Sequence, residues 1–116
     1  MLTASDASAW ESAPAQVREE YFDAHRAFER AVAGRGTTVV GAALADADTA
    51  TTLRHGPAGG LTVTDGPFVE LAEQIGGFYL VDLPDLDAAV AAAALLPASY
   101  AVEIRPVIEI EGYEPA

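Results

Sequence analysis

Residues 78–96 read Phe-Tyr-Leu-Val-Asp-Leu-Pro-Asp-Leu-Asp-Ala-Ala-Val-Ala-Ala-Ala-Ala-Leu-Leu, and their order decides the fold. Phe78 to Leu83 is a near-continuous apolar run, as a central strand requires. Gly76-Gly77 breaks the chain before it. Asp85 stands at an N-cap position, and Asp87 adds negative charge to the first helical turn. Leu86 to Leu96 then reads as a helix, with Leu86, Ala89, Val90, Ala93 and Leu96 facing inward. Its alanines permit close packing on a sheet, and Pro97 ends it.

The same strand-then-helix unit recurs upstream. Met1 to Ala4 reads as the end of a strand, and Ser5 to Pro14 as a loop. From Ala15 to Ala33, Val17, Tyr21, Ala24, Phe28 and Val32 recur at spacings of three and four, which predicts an amphipathic helix. Gly34 and Gly36 end it. Thr37 to Leu44 is rich in β-branched residues and reads as a strand, followed by a polar break at Ala45 to Asp48. Ala50 to Arg54 and Leu61 to Thr64 flank the turn His55-Gly-Pro-Ala-Gly-Gly60, a hairpin. Asp65-Gly-Pro-Phe68 is a sharp turn, and Phe68 to Ile75 a short acidic connector of one or two helical turns.

Downstream, Val102, Ile104, Val107, Ile108 and Ile110 are interleaved with Glu103, Arg105 and Glu109. That pattern predicts a last long strand over Tyr100 to Ile110, bent at Pro106. Gly112 to Ala116 is a tail. The order β-α-β-(hairpin)-β-α-β gives an α+β class with the split βαβ or ferredoxin-like plan. Nothing resembles a linker, so residues 1–116 are expected to form a single domain.

Composition narrows the function. Hydrophobic residues are 51% and charged residues 21%, a globular balance. Eighteen acids face six bases, all arginine, for a net charge of −12. Such a chain repels phosphate backbones and anionic headgroups, which argues against nucleic acid and membranes as partners. With no cysteine, disulfides, thiolate metal sites and a cysteine nucleophile are excluded. Two histidines, His25 and His55, are too few for a multi-histidine zinc site. Met1 to Trp10 has no basic region and no long apolar run, so a cytoplasmic location is expected. No phosphate loop or dinucleotide fingerprint appears, and no cofactor is expected.

Four ordered blocks carry a more specific signal. They are Thr49-Ala-Thr-Thr-Leu-Arg54, Leu61-Thr-Val-Thr-Asp-Gly-Pro-Phe68, Glu73-Gln-Ile-Gly-Gly-Phe-Tyr-Leu-Val-Asp82, and Val102-Glu-Ile-Arg-Pro-Val107. Together with Asp85-Leu-Asp87 they resemble the DGPF-type proteins of the YCII-related family, over roughly residues 15 to 110. The resemblance implies a ferredoxin-like fold that pairs into a dimeric α/β barrel, two sheets face to face. Relatives of that fold include lactone isomerases and dehalogenases of small aromatic-breakdown products. It also implies a functional link to extracytoplasmic-function sigma factors. Two departures stand out. The first strand is short, Met1-Leu-Thr-Ala4, and Glu70-Leu-Ala-Glu73 replaces the family's Glu-Thr-Lys-Glu, so any role for that lysine is missing here.

Asp65 is the leading catalytic candidate. Pro67 fixes its own φ and Gly66 allows unusual angles, so the carboxylate is held rigidly, as a general base or a partner for histidine would need. A simpler account is that it caps the turn. His25 lies four after Tyr21 and three before Phe28, near the core-facing edge of its helix. The resemblance implies a helix-one histidine paired with an aspartate, so His25 and Asp65 form the expected catalytic pair. A hydrogen-bonded structural histidine is the competing account. His55 sits at a hairpin tip and is expected in solvent.

Gly66, Pro67, Phe68, Tyr79 and Arg105 are the expected ligand-binding set. Phe78 and Tyr79 point to opposite faces of their strand, so one of them lines a cavity. Arg105 either clamps a substrate carboxylate or pairs with Glu103 or Asp82. Glu70 and Glu73 lie three apart and read as an acid pair or a solvated face. No metal site is expected.

Three functions compete. The first is cofactor-free acid/base chemistry on a small organic molecule. The second is a non-catalytic ligand binder. The third is a module that contacts another protein such as a sigma factor. Dimerisation has its own warrant: a sheet with both helices on one face leaves the other open. Covering that face with a twin subunit gains about 25 cal/mol per Å2, which predicts a two-fold homodimer.

Overall fold

The computed structural model describes residues 2–4, 12–67 and 74–116. The elements run β1 (Leu2–Ala4), α1 (Ala15–Ala33), β2 (Thr37–Ala43), a 3-10 turn (Ala47–Thr49), β3 (Thr51–His55), β4 (Leu61–Asp65), β5 (Gln74–Asp82), α2 (Leu86–Ala93) and β6 (Ala101–Val102). The mixture of helix and antiparallel sheet is α+β, as the pattern predicts. The main sheet has the order β2-β5-β1-β6, and every neighbouring pair is antiparallel. β3 and β4 form a separate two-stranded sheet.

Helix α1 has the predicted limits. Its apolar stripe is buried only toward the C-terminal end, at Phe28 and Val32, while Val17 remains exposed. Helix α2 starts where Asp85 caps it, the carboxylate accepting the Ala88 N–H at 2.8 Å. It ends three residues earlier than the apolar run suggested. Leu95 and Leu96 N–H donate to Ala92 and Ala93 three residues back, so the last turn tightens before Pro97. Leu96 still reaches the core, joining Phe28, Val32 and Ala92.

Two strands depart from expectation. β5 begins at Gln74, running straight through Gly76-Gly77 instead of stopping there. Gly77 pairs with Leu2 on one side and with Ala43 on the other, and two ladders outweigh the low strand propensity of glycine. The last strand is the larger correction. Only Ala101–Val102 joins the sheet, not Tyr100 to Ile110. Among the described residues it pairs with β1 at Leu2 and Thr3, and Pro106 has no N–H to donate. Val107, Ile108 and Ile110 are left exposed.

Paired residues share a face of a sheet. Gly41 and Tyr79 lie on the helix side, where Tyr79 and Val81 pack against the core. Val40 with Leu80 and Ala42 with Phe78 lie on the other side, and Val40 and Phe78 are exposed there. No helix among the described residues is long and apolar enough to cross a membrane.

Candidate functional site

The helix side of β5 holds the polar cluster. His25, half-buried on α1, has both ring nitrogens engaged: Nδ1 with the Tyr79 hydroxyl at 2.8 Å and Nε2 with the Tyr100 hydroxyl at 3.1 Å. The Tyr79 hydroxyl also meets the Glu29 carboxylate at 3.5 Å. The phenol has one hydrogen; giving it to Glu29 makes its oxygen accept from Nδ1–H and leaves Nε2 to accept from Tyr100, and giving it to Nδ1 reverses both His25 bonds. The contacts form a chain, from Tyr100 through His25 and Tyr79 to Glu29. Tyr21 stacks on Tyr100 at 5.9 Å between centroids and bonds Ser99 at 2.8 Å, which steadies the outer end.

Local sequence builds this cluster. His25 and Glu29 are four apart and so adjacent on one helix face. Phe28, one residue before Glu29, packs on the Tyr79 ring at 4.5 Å. Burial pushes His25 below its usual value, with Glu29 acting in the opposite sense. Tyr79 is pushed up to about 12, first by burial and then by Glu29. Tyr100 is also raised, by burial and then by Tyr21. The imidazole is therefore held neutral, and both phenols stay protonated.

A cleft of about 400 Å3 opens beside this cluster, between β5, α2 and residues 102–107. Phe28 and Tyr79 form part of its wall, with Leu83, Leu86 and Ile104 supplying apolar surface. Arg105 stands at the cleft with its guanidinium on Glu103. That contact matches one of the two roles the sequence leaves open for it. Asp82, Asp85 and Glu103 make the surrounding charge negative.

The expected site residues thus divide. Tyr79 and Arg105 line the cleft, and His25 is linked to it through its bond to the Tyr79 hydroxyl. Asp65 and Gly66 lie at the base of the hairpin sheet, where Asp65 is exposed. Gly66 has φ +112°, its N–H bonds Ala50 at 2.7 Å, and its carbonyl accepts from Thr52 Oγ1 at 2.7 Å. Pro67 follows it. The His25 nitrogens engage Tyr79 and Tyr100, not Asp65. Phe68, Glu70 and Glu73 lie outside the described residues. His55 is exposed near the hairpin tip. Tyr100, Glu29 and Tyr21 went unnoticed as site residues. The available signal was the four-residue spacing Tyr21-His25-Glu29 on one helix.

Fold and site together define a small α+β domain with a His–Tyr cluster on the helix side of its sheet and an apolar cleft beside it. The chain belongs to the YCII-related domain family, whose model matches residues 1–111. An uncharacterized protein of Rhizobium meliloti (strain 1021) is 47% identical over 62 residues, which cover 50% of this chain and 49% of that protein. The match therefore spans about half the length of that relative.

Proposed function

We propose that this chain is a homodimeric, ferredoxin-like YCII protein that binds a small organic molecule in the cleft. His25 is its acid/base group. One observation carries the reading: Tyr79 both bonds His25 and borders the cleft. Its hydroxyl links the imidazole to the neighbourhood of a bound molecule without a cofactor. The strand order β2-β5-β1-β6 supports the ferredoxin-like plan, and the exposed Val40 and Phe78 support the dimer. The apolar wall and negative surroundings favour a neutral molecule with a polar end over a carboxylate. Asp65, Gly66 and Pro67 serve as a second contact region at the hairpin base.

A second reading, binding without turnover, also has an observation behind it. A Tyr79 phenol pushed up to about 12 stays protonated and is a poor acid at neutral pH. Protein-observed NMR of the His25 ring, with a panel of small phenols and lactones added, tests both. Binding should shift the His25 ring signals and vanish in Tyr79→Phe. Slow change of a bound lactone, lost in His25→Gln, supports chemistry; binding alone supports the second reading. Failure of every compound to perturb His25 or the cleft sinks both.

A further inference from the structure

Among the described residues that line the cleft, Arg105 is the only base, and it faces three carboxylates, Asp82, Asp85 and Glu103. Its guanidinium is already engaged: Nη2 donates to Glu103 Oε1. The sequence sets the two side by side. They stand two apart on the segment that follows β6, and Pro106 restricts the residue before it to extended backbone. In an extended chain, residues i and i+2 point the same way. The Arg105 and Glu103 side chains are 77% and 52% exposed, so the pair adds little to stability. An incoming molecule can reach it.

We propose that Glu103 is a specificity-determining residue: by holding the Arg105 guanidinium it bars carboxylates from the cleft and leaves the cleft to neutral molecules. The inference rests on the cleft reading above and names the residue that sets its choice of ligand. The mechanism is competition. A carboxylate tethered two residues away acts at an effective concentration of about millimolar or more. A free carboxylate must displace it before gaining the forked contact that makes arginine a good anion site. Arginine has other N–H donors, but an anion that used them would still face three negative side chains against one positive. One of the three, Asp85, is fixed in place by its bond to the Ala88 N–H. A neutral amide or alcohol has nothing to displace and no repulsion to overcome. With the Glu103 charge removed, the guanidinium can turn to a ligand carboxylate in the same cleft.

Benzamide and benzoate are close in shape and differ in charge, so the ratio of their affinities isolates the effect. Backbone amide signals of residues 80–83 and 102–105 in the full chain report binding. The wild type should bind benzamide more tightly than benzoate. Glu103→Gln keeps the shape, removes the charge and should shift the ratio toward benzoate about 10-fold. Adding Arg105→Gln should erase that gain. A Glu103→Gln ratio equal to that of the wild type overturns the inference and leaves the cleft reading standing. A shift that survives the loss of Arg105 also overturns it, because general repulsion would then set the choice. If neither compound perturbs the cleft in wild type or variant, the cleft reading falls and this inference with it.

Discussion

The ring of Tyr79 occupies the space where a side chain at Gly41 would stand. A Cβ on Gly41 would fall 2.6 Å from Tyr79 Cε1 and 2.7 Å from Cδ1. The two residues are opposed in the β2–β5 ladder, so the empty position lets the ring lie across the neighbouring strand. From there its hydroxyl meets His25 at 2.8 Å. Gly41 is therefore a positioning residue for the His–Tyr cluster. Gly41→Ala forces the ring aside and should cost about 1–3 kcal/mol, as overpacking does. Urea unfolding measures that cost. NMR of the His25 ring should show its Nδ1 partner lost. An unchanged His25 spectrum would mean that the ring finds room elsewhere.

The direction of the hydrogen-bond chain and the His25 tautomer are coupled. We predict that Tyr79 gives its hydrogen to the Glu29 carboxylate, so that His25 carries its own on Nδ1. Nitrogen-15 spectra of the imidazole should report Nδ1–H with a bare Nε2. The opposite tautomer would reverse the chain and exclude Glu29 as its end. Glu29→Gln sharpens the test. The carboxylate raises both His25 and Tyr79, so its removal should lower both.

Much of the fold was legible because the relevant signals are local. The 19-residue helix α1 announces itself by its period, and Asp85 by its place before an alanine-rich run. The last strand was misread because alternation records which residues suit a strand, not whether a partner exists. Among the described residues only Ala101 and Val102 pair with β1, and Ile104 to Ile110 lie outside the sheet. The site was half legible for the same reason. His25 stands out as a lone helix histidine, but Tyr79 and Tyr100 come to it from 54 and 75 residues away. Only the crossing of β5 and the chain after α2 brings them there.

The small core makes α1 sensitive at one position. Phe28 packs with Val32, Ala92 and Leu96, and it also supports the Tyr79 ring. Phe28→Ala should cost about 3–5 kcal/mol, much of the stability of a domain this size. Asp85→Ala, which removes only a cap, should cost about 1 kcal/mol. Thermal or urea unfolding of the two variants side by side checks the ranking. Equal losses would show that the described core does not hold α1 in place.

His25 also makes stability depend on pH with a definite sign. Burial holds its folded value below the ordinary 6.5. Between those two values the unfolded chain takes up a proton that the folded chain resists. The neutral cluster therefore contributes fully above about pH 6.5, and its contribution falls as the pH drops through the folded value. The other acids act in the opposite sense, since protonating them relieves the repulsion of a −12 chain. The wild type alone would mix the two effects, so the comparison is with His25→Gln. Stability of each is measured in urea at about pH 7.5 and about pH 5.5. The advantage of the wild type should be larger at the higher pH. An advantage that grows on acidification would mean that His25 is charged in the folded state, with Glu29 outweighing burial.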